Sequence, residues 1–186
     1  MERQQSQKEK SLAWFKLADL IARGEREKAL NVFRLLAHSL QDRAYVLQLE
    51  GDILWYLDDK NSAEKYKQAA FLYQREKRWV DAIAVYEHLL TQTPDSYEIL
   101  ASLLIFYAMI DWQDKFHDRY HHLVRLFNDH AIDEFQMEKA VKDVVDVVAE
   151  AEQEQKSAWF WQWFNEMLSD MPEVLATRLG GLKRES

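Results

Sequence analysis

The stretch SAEKYKQAAFLYQREKRWVDAIAVYEHLLTQTP, residues 62–94, decides the fold expected of this chain. Its key positions are Tyr66-x2-Ala69-Ala70-x2-Tyr73, then Ala82-x3-Tyr86, then Pro94. The pattern predicts one helix over about 62–76 and a second over about 79–91. Pro94 cannot continue a helix, and Asp95 or Ser96 can cap the next one, so 92–96 is the strongest helix stop in the chain.

The composition of the whole chain also favours helices. The chain has 186 residues, of which 48% are apolar and 13% aromatic, enough for the core of one ordinary domain or one short repeat array. It contains only 4 Gly and 2 Pro, too few for the many turns of a sheet protein. It is rich in Ala, Leu, Glu, Lys, Gln and Arg, the strong helix formers, so we expect an all-α protein.

Charge and cysteine content exclude several functional classes. The formal net charge is −8 and basic residues are scattered among acidic ones, whereas a duplex-binding domain carries a basic patch, so nucleic acid is not an expected partner. The absence of cysteine excludes disulfides and thiol chemistry. The sequence has no Gly-rich phosphate loop, and no cofactor is expected. The polar start and the lack of a long apolar run favour the cytoplasm and make membrane binding unexpected.

Apolar periods and breaks predict nine helices with short polar links and no strand. Besides the two in the opening stretch, helices are expected at about 12–23, 25–40, 42–57, 97–110, 113–128, 133–156 and 157–171. We assign 1–9 to a flexible tail, 10–171 to a single helical-repeat domain and 172–186 to a second tail, with a helix at 173–179 as an alternative. The eighth helix has an apolar stripe of Val141, Val144, Val145 and Val148, and its polar end at 150–156 is expected to extend into solvent.

One spacing, about 34 residues long, occurs twice in the chain. It separates Ala29 from Ala63 and, again, Ala82 from Phe116, with similar residues around each member of a pair. The two pairs are out of phase, since the interval from Ala63 to Ala82 covers only one helix and its loop. The fourth helix is therefore either the second helix of one repeat or the first helix of the next, and we favour the second choice because more positions match it.

The opening stretch resembles the tetratricopeptide repeat, whose pattern runs large residue, x2, Leu-Gly, x2, Tyr, then Ala, x3, Phe, then Pro. The resemblance covers about 63–128 well, 10–62 weakly and 129–186 not at all. It implies an all-α, right-handed superhelix of antiparallel helix pairs, closed by a non-repeat helical cap at 131–171. Phe116 replaces the usual small Ala, so looser or shifted packing is expected there.

The resemblance also implies a binding surface. In similar proteins the first helix of each repeat lines a concave groove, and the residues that would point into it here are Lys67, Phe71, Gln74, Arg75, Ile105 and Met109. Phe71, Ile105 and Met109 would form an apolar strip for an amphipathic helix or an extended peptide. The alternative is that a neighbouring helix of this chain fills the strip.

The second unusual feature is the aromatic segment SAWFWQWF, residues 157–164. Trp159 and Trp163 are spaced i, i+4, as are Phe160 and Phe164, and Trp161 lies on a further face. A helix that is aromatic nearly all round is buried on more than one side. The segment could cap the array, contact a partner or a second copy through its tryptophans, or bind a membrane surface. Acidic neighbours at 150–154, 166 and 170 argue against the membrane.

His117 and His121, spaced i, i+4, are the only candidates for a metal site, but no third ligand is evident and a metal enzyme is the weakest hypothesis. We therefore expect no enzyme but a scaffold or adaptor that binds another protein on its concave face. The net charge of −8 mildly favours a partner with a basic surface. The alternative is a structural subunit or secretion-type chaperone that assembles, for instance as a homo-oligomer, through its aromatic C-terminal helix.

Overall fold

The computed structural model describes residues 2–151 and 158–181, and its regular structure in these ranges is all helical, without strands. The predicted all-α class is confirmed. The ten helices of the described ranges are α1 (Glu2–Ala22), α2 (Arg26–Ala37), α3 (Arg43–Tyr56), α4 (Ser62–Arg75), α5 (Trp79–Gln92), α6 (Tyr97–Met109), α7 (Gln113–Asn128), α8 (Glu134–Ala151), α9 (Ala158–Asp170) and α10 (Glu173–Gly180). The expectations for 152–156 and for the end of the second tail lie outside the described residues.

The two ends of the chain differ from the prediction. Helix α1 begins at Glu2, where a flexible tail was expected, because 2–10 consists largely of Glu, Gln, Lys and Arg and has no Gly or Pro to stop a helix. Helix α10 occupies most of the second predicted tail and matches the alternative at 173–179. Leu175 and Leu179, spaced i, i+4, are each only 1% exposed, which explains why α10 packs on α8 and α9.

The helices form two compact units, Met1–Val85 and Tyr86–Ser186, and the division falls within α5. One helical-repeat domain was predicted. In the first unit α1 packs on α2, α2 contacts α3, and α3 packs extensively on α4. Its core cluster comes from the first three helices: Leu17, Leu20, Ala29, Leu30, Phe33, Leu36, Ile53 and Leu54.

The contact between α3 and α4 is close because one of its residues is glycine. A Cβ atom at Gly51 would lie 2.9 Å from two ring carbons of Tyr66, which is nearer than van der Waals contact allows. The Tyr66 hydroxyl donates a hydrogen bond to Asp52 at 2.8 Å, and the Tyr73 hydroxyl donates one to Gln48 at 2.8 Å. Two tyrosines of α4 are thus fixed to α3 at their hydroxyl ends as well as packed against it.

Arg78 fixes the link after α4 to the start of α3. Its guanidinium donates to Asp42 at 2.7 Å and to Asp81 at 2.9 Å, and it stacks over the Tyr73 ring with 4.4 Å to the centroid. Asp42 also caps α3 by accepting from the backbone N–H of Tyr45 at 3.0 Å. The same carboxylate therefore begins α3 and holds the end of α4 beside it.

The second unit is built around α6, which has eight buried residues and packs on both α7 and α8. The predicted valine stripe of α8 is confirmed as a buried face, since all four valines are at most 2% exposed. Glu87 of α5 joins two neighbours: it accepts two hydrogen bonds from the Arg119 guanidinium, at 2.8 and 2.6 Å, and one from the Tyr107 hydroxyl at 2.6 Å.

Residues with positive φ follow five of the described helices: Gly24, Asp58, Lys77, Asp111 and His130 come after α1, α3, α4, α6 and α7. The interval from Gly24 to Asp58 equals that from Lys77 to Asp111, and both are about 34 residues, the length of one tetratricopeptide repeat. The interval from Asp58 to Lys77 equals that from Asp111 to His130, and each covers one helix with its links. The positive-φ residues that end these helices therefore show the same two intervals along the chain as Ala29, Ala63, Ala82 and Phe116.

None of the described helices combines the length and the apolar character that crossing a lipid bilayer requires.

Candidate functional site

An open groove of about 420 Å³ lies between α3 and α4 of the first unit. Ligand-binding clefts in proteins have volumes of about 300–1,000 Å³. The first turns of α3 and one side of α4 supply its lining residues, which are Arg43, Leu47, Glu64, Lys67, Gln68, Phe71, Leu72 and Arg75.

The helical period of α4 explains why this side is open. Tyr66, Ala69, Ala70 and Tyr73 form one face, and all four are at most 2% exposed. The other face presents a stripe at 64, 67, 68, 71 and 75, which has no such cover among the described residues. Phe71 is consequently 57% exposed, although it is a large aromatic side chain, and the half-buried Leu47 and Leu72 extend its apolar surface.

Cations surround the exposed ring. Arg43, Lys67 and Arg75 line the groove, and none of them forms an ion pair with another described residue. The Arg75 guanidinium lies over the Phe71 ring, 5.9 Å from its centroid. Glu64 is the single carboxylate of the described lining, and it accepts a hydrogen bond from Gln68 at 2.8 Å. The groove is therefore apolar at Phe71 and positively charged at its edges.

Three of the residues predicted to bind a partner meet in this groove: Lys67, Phe71 and Arg75. Gln74 is exposed on α4 but does not line the groove. Ile105 and Met109 lie on α6 of the second unit and are half-buried, and the alanines between them and before them, Ala108 and Ala101, are buried. The continuous strip from Phe71 to Ile105 stays a prediction.

The sequence interpretation did not include Arg43 and Leu47, which α3 contributes to the groove. The signal that could have found them is the earlier of the two repeat registers, from Ala29 to Ala63, because that register makes α3 and α4 partners in one hairpin. We favoured the later register, which pairs α4 with α5.

The aromatic segment packs on its own unit. Phe116 of α7 contacts Trp159, Phe160 and Trp163 of α9 edge to face, with centroid distances of 5.2, 5.9 and 4.6 Å, and Tyr120 contacts Trp163 at 4.9 Å. Centroid separations of about 4.5–7 Å and edge-to-face geometry are those that aromatic pairs prefer.

The large residue at 116 has a clear role in this contact. Looser or shifted packing was expected where Phe116 replaces the small Ala of the repeat pattern, and Phe116 is fully buried. Its ring packs against the aromatic side chains of α9. A large residue at this position therefore fits a helix pair that a further aromatic helix covers. Phe160 and Phe164 are also fully buried and Trp163 is 8% exposed, whereas Trp159 and Trp161 remain half-buried.

Among the described residues, no three His, Asp or Glu side chains come together in a group that could hold a metal ion. The two histidines considered as metal ligands lie beside aromatic rings. The ring centroid of His117 is 6.0 Å from that of Phe116 and 6.3 Å from that of Trp159, and the ring centroid of His121 is 6.3 Å from that of Tyr120.

Comparison of this chain with family models, with curated proteins and with solved structures finds no match.

Proposed function

We propose that this protein is a non-catalytic protein-binding module and that the groove between α3 and α4 is its binding surface. The observation that carries the proposal is Phe71, more than half exposed in a groove edged by three cations that have no ion-pair partner among the described residues. An apolar surface rimmed by polar groups is typical of interaction sites, and an aromatic or Arg anchor often dominates the binding energy.

The groove favours a helix or peptide that places one apolar side chain against Phe71 and acidic side chains beside Arg43, Lys67 and Arg75. This differs from the basic partner that the net charge of −8 suggests. Charges farther than about 8 Å from a bound ligand are largely screened at physiological ionic strength. The charges of the groove itself therefore decide what binds there, and they are mainly positive.

We further infer that the helix pairs are tetratricopeptide-like. Two features support this. Positive-φ residues at helix ends recur at an interval equal to the length of one repeat, and small residues lie at close helix contacts, of which Gly51 is the clearest. The two registers differ by one helix and its links. On this proposal α5 is an additional helix that comes between the α3–α4 and α6–α7 pairs in the chain, and it changes the register.

Selection from a random peptide library tests the binding proposal. The wild-type protein should enrich peptides that carry one large apolar residue flanked by Asp or Glu. The Phe71→Glu variant should lose this enrichment, because it places a carboxylate where the apolar anchor binds. Phe135→Glu is the matched control: Phe135 is 69% exposed on α8 and does not line the groove, so this variant should behave like the wild type.

Charge reversal provides a second readout. Lys67→Glu with Arg75→Glu should shift the enriched peptides from acidic towards basic flanks while the apolar anchor is retained. Enrichment that survives Phe71→Glu, or wild-type enrichment of basic peptides, would contradict the proposal. Far-UV circular dichroism checks that each variant keeps its helices.

Assembly through α9 is a second candidate function. Trp159 and Trp161 are half-buried and retain apolar surface that another chain could cover. The remaining large rings of α9 are buried within the unit, so the apolar surface left on its rings belongs to these two tryptophans. Sedimentation of the purified protein distinguishes a self-assembling subunit from a monomeric binding module.

A further inference from the structure

The second unit contains a half-enclosed cavity of about 420 Å³, formed by α7, α8, α9 and the start of α10. Its apolar lining is Tyr120, Val124, Phe127, Met137, Trp163, Met167, Met171, Pro172 and Leu175. The chain has five methionines, and three of them line this one cavity. Methionine side chains are flexible and polarisable, so they fit apolar ligands of varied shape.

The described polar lining includes two carboxylates and no Lys or Arg. Glu166 and Asp170, spaced i, i+4 on α9, are both exposed at the cavity, and none of the described residues that line it is Lys or Arg. A hydrogen bond from Gln162 to Glu166, 3.0 Å long, helps to hold one of the carboxylates in place. His117, His121 and Asn128 complete the polar lining.

Two aromatic rings line the same cavity as these carboxylates. The rings of Tyr120 and Trp163 meet edge to face at 4.9 Å, and both line the cavity. Burial, and then the nearby charge of Asp170, raise the pKa of Tyr120, so its hydroxyl stays protonated at neutral pH. Aromatic faces attract cations, and Trp does so most strongly.

We propose that this cavity is a binding site for a small apolar amine in its protonated form. The apolar body lies among the methionines and Leu175, and the ammonium group lies between the Tyr120–Trp163 pair and the carboxylates of Glu166 and Asp170. Charge complementarity selects the cation: a carboxylate ligand would meet two like charges there without a compensating Lys or Arg in the described lining. This site is separate from the groove in the first unit and does not depend on the proposed function.

Three probes with the same phenylbutyl body test the charge preference: 4-phenylbutylamine, 4-phenylbutanol and 5-phenylvalerate. Binding is followed by NMR of the full chain with ¹³C-labelled methionine methyl groups. The amine should shift the signals of Met137, Met167 and Met171 and leave unchanged that of Met109, which lies on α6 and does not line the cavity. The amine should bind about 3- to 10-fold more tightly than the alcohol, as expected for a partly solvated charge interaction, and the carboxylate should bind most weakly.

The double variant Glu166→Gln and Asp170→Asn should reduce this preference to less than about 2-fold and leave binding of the alcohol unchanged. Both residues are exposed, so the fold should tolerate the change. Asp146→Asn with Glu150→Gln is the matched control, an exposed pair with the same spacing on α8 that does not line the cavity, and it should keep the wild-type preference.

Equal affinities for the amine and the alcohol would overturn the proposal, as would a preference that survives in the Glu166→Gln and Asp170→Asn variant. Shifts of Met109 as large as those of the other three methionines would indicate non-specific binding and would also overturn it. An absence of shifts at millimolar amine means that the cavity does not bind this class of ligand.

Discussion

Replacing Gly51 by alanine tests the close contact between α3 and α4. In an exposed helix interior this change stabilises a protein by about 0.8–1 kcal/mol, because alanine is the better helix former. Here the new Cβ would lie 2.9 Å from the Tyr66 ring, which is much shorter than the 3.4 Å at which ordinary van der Waals contact begins. The ring is 2% exposed and its hydroxyl is bonded to Asp52, so it cannot move aside freely.

Overpacking of this kind typically costs about 1–3 kcal/mol. After subtraction of the gain in helix propensity, Gly51→Ala should lower the free energy of unfolding by about 0–2 kcal/mol. For a chain of this size, each kcal/mol corresponds to a change of about 2–4 °C in the midpoint of thermal unfolding. Differential scanning calorimetry measures the change.

A double-mutant cycle separates the two contributions. Tyr66→Leu removes the ring and leaves Asp52, which is exposed, in contact with water. In that background Gly51→Ala should become stabilising by about 0.8–1 kcal/mol, so the coupling energy between the two positions should be about 1–3 kcal/mol. If Gly51→Ala stabilises the wild-type protein as much as it stabilises the Tyr66→Leu variant, the helices do not approach as closely as described and the reasoning is refuted.

Two further predictions concern α5. Ala82 is fully buried, so Ala82→Leu should lower the free energy of unfolding by about 1–3 kcal/mol. The control Ala84→Leu, at an exposed position on the same helix, should change it little. Equal effects of the two substitutions in urea unfolding would contradict the burial of Ala82. Burial raises the pKa of Glu87, but hydrogen bonds from Arg119 and Tyr107 outweigh it and hold the pKa below 4.5. The stability that the ionised carboxylate adds is therefore complete above pH 4.5 and is lost as the pH falls through the lower folded-state pKa. Glu87→Gln removes this contribution, so it should make the melting temperature depend less on pH in the acid range. An unchanged dependence would show that the charge of Glu87 does not stabilise the fold.

The sequence was sufficient to predict helix positions because each helix has a local signature. Apolar periods, helix formers and the stop at Pro94 all act within a few residues of where they appear. The exceptions were residues 2–9, which were expected to be a tail but belong to α1, and α10, which was expected only as an alternative to a tail. The start of α1 was taken as a tail because it is polar and has no apolar face. The helix at 173–179 was only an alternative because Leu175 and Leu179 become significant only when α8 and α9 provide a surface to bury them.

The groove between α3 and α4 could be predicted only in part, for a different reason. The exposed stripe of α4 is a local property of its sequence, and Lys67, Phe71 and Arg75, which the repeat resemblance had selected, line one groove. The helix on the other side of the groove depends on which neighbour α4 packs against, and two registers of alanines offered two answers. Gly51 was the deciding residue, since a glycine opposite a tyrosine ring permits an approach that other residues prevent.

The contact between α3 and α4 differs in kind from the contact between α7 and α9, and this bears on what can bind beside each. Between α3 and α4, tyrosine hydroxyls bond to Asp52 and Gln48, and such directional contacts fix the two helices in one arrangement. The contacts of α9 with α7 are ring edges on ring faces, which allow a range of similar geometries at comparable energy. A groove between helices joined by directional contacts suits a partner with a defined anchor at Phe71. The cavity beside α9, lined by methionines and closed by aromatic contacts, suits a class of ligands that share a positive charge and an apolar body but differ in shape.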